Sequence, residues 1–574
     1  MLPLSSWFGS VHRRANGFFI ALSLITLLGA GLRLVKLGDY PGGYSQDEAV
    51  VMYDAWSLLT TGAEHHGVGW PLNSRQFGDD PSSLPTYLTI PFVALLGPTE
   101  FATRLPSALV NVAAIPLFGL LLFSLFRSRA AGIFAAALLA VSPWNIYFSR
   151  WAVSPSFVTF YQVAGLCLMI RLLAGQNRRN RGYGLAVLTG FTLFLWTHQF
   201  LSQYFFAPFM IGIGFLLWNR KNWPRILVAG GVYSFFMLLA ILTRVNDPST
   251  AGRLQRECIL FGDHIESSFW HNYCEYQSFL FLFHAPKMLD LHQIPGVAHI
   301  QHSLAPLYVF GLAVLIAAAV IPKRLLALLD RPATPDDITH WRRAALWMLA
   351  GFLIAPIVGA LFTEKMYTAR MTHLLTHVLL ITSLGCAALW YLLRRLPIRA
   401  VAPVCAVVLA VYLGKSTLKT TNGLIRSNLF FKECLQYGVP DVMRYLAQQP
   451  NVRSAHFPRM LQGYIYHLCF TPVHPARLNH AEVSPPAPEP NQHWHYTRIP
   501  RMGNYYFDET PDFSEIIRTA TLRHQVRDSD RIWYDLYERN GDWFVLRHGD
   551  TGGIATPSSL PAASSPARDS SPPK

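Results

Sequence analysis

The sequence predicts a polytopic α-helical membrane protein of about eleven spans with a small extracytoplasmic α/β domain near its C-terminal end. Three observations carry this. Of 574 residues, 51% are hydrophobic and 14% charged, too apolar a balance for an ordinary soluble protein. The apolar residues come in runs of about 17–25, the length that crosses ~30 Å of hydrocarbon as a helix. Basic residues gather in every second segment between those runs, as the positive-inside rule requires.

Spans are expected at roughly 16–36, 104–126, 130–148, 155–173, 184–200, 202–218, 226–242, 304–322, 344–362, 372–392 and 399–414, with ends uncertain by a few residues. The basic segments are Arg13/Arg14, Arg127/Arg129, Arg178/Arg179/Arg181, Arg220/Lys221/Arg225, Lys323/Arg324/Arg331/Arg342/Arg343 and Arg394/Arg395/Arg399. This phase puts the N-terminus in the cytoplasm and the region after Lys415 outside. The first span is too long for a signal-peptide core and carries Arg33, so an uncleaved helix is expected.

The expected organisation is a membrane domain over 1–414 with outer loops at about 37–103 and 243–303. An extracytoplasmic α/β domain follows over 415–550, then a disordered Pro/Ser/Ala tail over 551–574. Leu84–Leu96 is apolar but too short to span, and is expected to lie along the interface. Pro440–Ala447 reads as a helix with Pro in its first turn. Arg531–Tyr537 and Trp543–Arg547 read as strands around the turn Asn540-Gly541.

A net charge of +15 would suggest nucleic acid in a soluble protein. Here topology accounts for the basic residues, so membrane lipids and no nucleic acid are the expected partners. Of seven cysteines, Cys167, Cys386 and Cys405 fall in spans as packing residues. Cys258 and Cys274 share one outer loop and are a candidate pair whose connectivity sequence does not decide.

Chemistry concentrates in the outer segments. Asp47 and Glu48 sit in a Gly/Tyr/Ser-rich loop beyond the first span. Two compatible readings stand: a general base for an attacking hydroxyl, or the capped start of a helix with Ser45 or Asp47 as N-cap. Arg104, Arg150, Lys365 and Arg370 fall on the face that the positive-inside rule depletes. They either anchor span ends at the headgroups or bind phosphate through the planar guanidinium fork. Glu64-His65-His66 and Asp79-Asp80 have the donor chemistry of a substrate or metal site. Their spacing fits no fixed motif, so a divalent metal is admitted but solvated polar residues are favoured. The histidines of the second loop (His264, His271, His284, His292, His299, His302) follow no ligand repeat.

The order Pro41-Gly42, Asp47-Glu48-Ala49, Gly62, Gly67, Trp70-Pro71, Leu96-Gly97 and Arg104-Leu-Pro-Ser-Ala-Leu109 resembles a known pattern. It is similar to the bacterial protein O-mannosyltransferases and lipid A aminoarabinose transferases, polytopic GT-C glycosyltransferases. The resemblance is best over the first six spans, including Ser142-Pro-Trp144 and Ser149-Arg150. It implies transfer of a sugar from a polyprenyl-phosphate donor to a hydroxyl on a protein, lipid or glycan acceptor at the outer face of a bacterial inner membrane. It further implies Asp47 as base for inverting attack, Glu48 as its positioning partner, and Arg104, Arg150 and Arg370 on the donor phosphate. The aminoarabinose-transferase pattern Asp-Glu-Ala-Arg-Tyr is replaced here by Asp47-Glu48-Ala49-Val50-Val51, and Glu-Lys-Pro-Pro by Gly78-Asp-Asp-Pro81. Those changes favour the broader glycosyltransferase-39-like group. The rival readings are a lipid-linked saccharide flippase and a non-catalytic membrane scaffold.

Overall fold

The computed structural model describes residues 12–77, 81–173, 181–217, 223–245, 265–284, 292–329, 331, 333–362, 368–398, 400–426, 431–432, 435–458, 462–471, 473–483, 499, 501–509, 513–528 and 531–548. The chain divides into two compact units, one of 1–41 and 104–427, the other of 42–103 and 428–574. Asp79, Asp80, Lys365 and Cys258 lie outside the described residues.

The first unit is helical. Each span expected from sequence falls on a described helix. Eight described helices, among them Glu100–Phe126, Pro155–Leu173 and Thr368–Leu393, are long and apolar enough to cross a membrane. The chain is therefore a multi-pass membrane protein. The expected span at 130–148 differs from a plain helix: it is a broken pair, Arg129–Ala140 and Pro143–Ser149, bent by 57°. The cause is local. Pro143 has no N–H to continue the first helix and suits the first turn of a new one, with Ser142 as N-cap. The break strands carbonyls that water would satisfy on a surface, and side chains take its place. Arg33, fully buried, donates to Ala140 O at 2.9 Å and Leu139 O at 3.0 Å, and Gln301 donates to Val141 O at 2.8 Å. Arg33 also donates to Asn145 Oδ1 at 2.6 Å, and Asn145 donates to Asn111 Oδ1 at 2.8 Å.

A second buried network joins other helices of this unit. Thr376 donates to Gln162 Oε1 at 2.8 Å and Gln203 Nε2 donates to His373 Nδ1 at 3.1 Å, while His373 Nε2 donates to Ala355 O at 2.9 Å. The helices Ala305–Val320 and Thr372–Leu393 meet at Gly311 and Gly385. A Cβ on Gly311 would lie 1.9 Å from Ile381 O, and one on Gly385 2.0 Å from Leu307 O. Only small residues permit such an approach between helices.

The second unit is built around a six-stranded sheet: β1 (Ser454–Pro458), β2 (Arg501–Met502), β3 (Tyr505–Glu509), β4 (Thr521–Arg527), β5 (Ile532–Arg539) and β6 (Asp542–Arg547). The spatial order is β2-β3-β1-β6-β5-β4, with β1 parallel to both β3 and β6 and the other pairs antiparallel. The β5–β6 hairpin turns through Asn540 and Gly541, both at positive φ, as a two-residue turn between twisted strands demands. The helix Val439–Ala447 begins with Pro in its first turn.

The core of this unit draws on both of its chain segments. Ala49, Val50, Met52 and Tyr53 from the helix Gln46–Thr61 are buried in one cluster with Val442, Met443, Phe457, Ile465, Leu468, Leu536 and Val545. The outer loop expected at 37–103 thus has its 42–103 part in the unit that holds 428–574.

His467, in the helix Gly463–Phe470, sits 4.0 Å from the Tyr505 ring. Burial lowers its pKa from 6.5 to about 4. The unfolded chain therefore takes up a proton that the fold excludes, and stability falls as pH drops from about 6.5 through about 4. His467→Gln is expected to flatten that part of the pH–melting curve, which His467 steepens by up to about 3 kcal/mol. An unchanged slope would remove His467 as the cause.

Candidate active site

Asp47 and Glu48 open the helix Gln46–Thr61, and local bonding separates their roles. Ser45 is the N-cap: its Oγ accepts from the Glu48 amide at 3.2 Å, and Glu48 Oε2 accepts from the Ser45 amide at 3.2 Å. This is a closed capping box. Glu48 is fully buried. The capping alternative read from the sequence is therefore present, with Ser45 as cap and Glu48 as its third-position partner. Asp47 lies in the same first turn, half-buried, at the positive end of the helix dipole where an anion is stabilised.

The backbone leading into this turn is held from the C-terminal segment of the same unit. The Tyr44 amide donates to Leu435 O at 2.7 Å, the Tyr466 hydroxyl donates to Tyr44 O at 2.7 Å, and the Tyr44 hydroxyl donates to Glu48 O at 3.1 Å. Burial pushes the Tyr466 phenol well above its ordinary pKa, and the charges of Asp47 and then Glu48 push it further. Tyr466 stays a neutral donor.

At the far end of the helix, the turn after Gly62 brings together a buried ionic cluster. The Gly67 amide closes onto Glu64 O at 2.8 Å, and the Val68 amide donates to Glu64 Oε1 at 3.2 Å. His65 Nδ1 lies 2.6 Å from Asp54 Oδ1 and 3.2 Å from Glu64 Oε2. Asp54 also accepts from the His65 amide at 3.0 Å and from Ser74 Oγ at 3.3 Å. Tyr464 Oη lies 3.5 Å from the other ring nitrogen, and the His480 ring donates to His65 O at 2.9 Å. Asp54, Glu64 and His65 are all buried, and His66 is half-buried.

Burial opposes charge on His65, but Asp54 and Glu64 outweigh it and raise the imidazole to about 10. Burial likewise opposes ionised Glu64, but contact with His65 holds its carboxyl down to about 2. Burial and the His65 charge lower His66 to about 3. Burial pushes Asp54 upward against the pull of His65. The sequence reading named His65 and His66 but missed Asp54, Ser74, Tyr464 and His480. Asp54 had a signal: an acid inside Val50-Val-Met-Tyr-Asp-Ala-Trp56, where a carboxylate is tolerated only with a partner.

In the first unit, two of the three candidate phosphate arginines converge on one stretch of backbone. Arg150 donates to the carbonyls of Leu32, Arg33, Val35, Lys36 and Tyr40 at 2.8–3.2 Å. That uses every guanidinium proton and caps the end of the helix His12–Leu34. Arg104, fully buried, reaches the carbonyls of Leu37, Gly38 and Pro41 at 3.1–3.4 Å. Arg370 is buried in the short turn Thr368–Met371, its guanidinium 4.3 Å from the Phe362 ring centroid. For Arg150 the geometry makes a clear expectation: Arg150→Met costs about 2–3 kcal/mol, read as a lower melting temperature, because buried carbonyls lose their donor. A normal melting temperature with weakened donor affinity would instead assign Arg150 to phosphate.

No protein-family model matches the sequence, and no curated protein matches it. Among solved structures, the fold is similar to the Archaeoglobus fulgidus oligosaccharyltransferase tethered with an acceptor peptide. The TM-score is 0.47 at 14% identity, covering 81% of this chain and 64% of that one. It is similar to AglB from the same organism in complex with an inhibitory peptide and a dolichol-phosphate, with a TM-score of 0.46 at 11% identity over 80% of this chain and 64% of that one. It is also similar to ArnT from Cupriavidus metallidurans bound to undecaprenyl phosphate, with a TM-score of 0.46 at 12% identity over 80% of this chain and 86% of that one. The chain thus spans 64% of the length of the archaeal protein. Both are glycosyltransferases of the GT-C type.

Proposed function

We propose that this chain is an integral-membrane glycosyltransferase that moves a sugar from a polyprenyl-phosphate donor to a hydroxyl acceptor at the outer face of a bacterial inner membrane. The observation that carries this reading is the division of labour between two adjacent carboxylates. Glu48 is spent on the capping box, which leaves Asp47 half-buried on a rigid turn at a helix N-terminus. The Asp47-Glu48 and Arg104-Leu-Pro-Ser motifs, in a chain with this many spans, support the same reading.

The chemistry is a single displacement. Asp47 takes the acceptor's proton as its oxygen bonds to the sugar's anomeric carbon, and the bond from that carbon to the donor phosphate breaks. The polyprenyl phosphate leaves with the electron pair, and the anomeric centre inverts. Arg104 and Arg370 are assigned to the developing phosphate charge. Arg104 is preferred to Arg150 because its carbonyl contacts are longer and more easily exchanged. Glu48 positions Asp47 through the cap.

A second reading, a lipid-linked saccharide flippase, draws on the buried Gln162–Gln203–His373 network inside the helices, since intramembrane polar groups often mark a pathway. One experiment separates the two. Purified protein in liposomes is given undecaprenyl-phosphate-linked sugars with candidate hydroxyl acceptors, and mass spectrometry follows the lipid pool and the products. Glycosylated acceptor with free undecaprenyl phosphate is expected. Transbilayer movement of the lipid with no glycosylated product would replace the transferase reading.

A further inference from the structure

We propose that a groove beside the helix Val401–Arg426 binds an anionic glycerophospholipid, its phosphate held by Lys415, Lys419 and Arg426. This goes beyond the transfer reaction and does not depend on it. The groove lies within the first unit, between the end of this helix and the segment 295–302, and holds about 1050 Å³. None of Arg104, Arg150 and Arg370 lines it.

Spacing puts the cations together. Lys415, Lys419 and Arg426 follow one another at helical repeats, so they share a face with Tyr412 and Asn422, and all five line the groove. None of the three makes an ion pair among the described residues, and no described residue that lines the groove is acidic. Like charges one turn apart repel, so Lys415 and Lys419 cost free energy until an anion sits beside them. The topology expected from the sequence places this end of the helix outside, where basic residues near spans are depleted. Anchoring at the headgroups accounts for one cation at a helix end, but not for three that share a walled groove.

The opposite wall is firmly seated. A Cβ on Gly423 would lie 2.8 Å from Val297 Cγ2, so the loop rests directly on the helix. Gln293 donates to Val297 O at 2.9 Å, the Ile300 amide to Leu282 O at 3.0 Å, and His302 to Phe283 O at 3.2 Å. The apolar part of the occupant follows from what continues the groove. Leu418 lines it at 66% exposure, and Val404, Val408 and Val411 carry an exposed apolar strip along the face of Lys415 toward the middle of the span. Cations above a lipid-facing strip fit a phosphate that carries acyl chains, whereas a free phosphate would leave the strip unused.

The test uses the full chain, delipidated in neutral detergent. Phosphatidylglycerol is titrated in, with zwitterionic phosphatidylcholine, undecaprenyl phosphate and inorganic phosphate as separate arms. Native mass spectrometry counts the retained lipid, and melting temperature follows binding. Wild type is expected to retain phosphatidylglycerol over phosphatidylcholine and to melt higher with it. The combined variant Lys415→Gln/Lys419→Gln/Arg426→Gln is expected to bind phosphatidylglycerol at least about ten-fold more weakly. Lys323→Gln/Arg324→Gln/Arg342→Gln removes as many exposed cations elsewhere and is expected to keep wild-type affinity. Lipid-free melting temperatures show whether each variant is folded, and if the groove variant melts low, Lys415→Gln/Lys419→Gln decides. Equal affinity in wild type and the folded groove variant, or no preference for phosphatidylglycerol over phosphatidylcholine, overturns the site. Groove-dependent binding of undecaprenyl phosphate in preference, or of inorganic phosphate alone, overturns the phospholipid as its occupant.

Discussion

Asp47→Asn is expected to lower sugar transfer by about 10²–10⁴-fold, the range a positioned general base supplies, while membrane insertion and melting temperature stay at wild-type values. The substitution keeps the shape and one acceptor oxygen of a side chain that is only half-buried, so it spares the fold and removes the negative charge that takes up the proton. Glu48→Gln provides the contrast. Its amide still reaches back toward the Ser45 amide through oxygen, so about 1 kcal/mol or less of capping energy is lost. Its activity is expected to fall less than that of Asp47→Asn. Transfer by Asp47→Asn at the wild-type rate would end the assignment of Asp47 as base.

Asp54→Ala is expected to destabilise the unit of 42–103 and 428–574 by about 3–5 kcal/mol when measured in chelator-containing buffer. Removing one member of a buried ion pair leaves the other uncompensated in a low-dielectric site. Here it strips His65 of its 2.6 Å partner, and the His65 amide and Ser74 hydroxyl of their acceptor. Asp54→Asn retains a neutral acceptor and is expected to fall between wild type and Asp54→Ala. Thermal melting followed by proteolysis within 42–103 and 428–574 reads the difference. A melting temperature within error of wild type for Asp54→Ala would show that the cluster holds nothing in place.

The parts of the fold that were legible were those whose cause is local or set by the solvent. Hydrocarbon thickness dictates span length, and each expected span has its helix. Asn540-Gly541 dictates a hairpin turn by its tolerance of positive φ. Ser45-x-x-Glu48 is a capping box visible in four letters. The break inside the span at 130–148 was also written locally, in Ser142-Pro143, but continuous hydropathy across it masked the Pro. What was not legible depends on distant pairing. Nothing in the spacing of Ala49, Val50 and Tyr53 says that their partners are Ile465 and Leu468. Likewise Arg150 read as either a span-end anchor or a phosphate ligand because its charge was on the unexpected face, and nothing in the sequence pairs it with the carbonyls more than a hundred positions earlier that it contacts.

That distant pairing sets a schedule for biosynthesis. More than three hundred residues separate Thr103 from Asn428, the inner ends of the two segments that share one core. At ~5–20 residues per second, the ribosome needs tens of seconds to cover that stretch. The helix bearing Asp47 therefore leaves the ribosome long before its packing partners exist, with its apolar face uncovered. The turn bearing Asp47 is completed last although its residues are made first, so a chain halted before residue 428 is expected to insert its membrane helices and yet leave that turn unsupported, a substrate for chaperones and proteases.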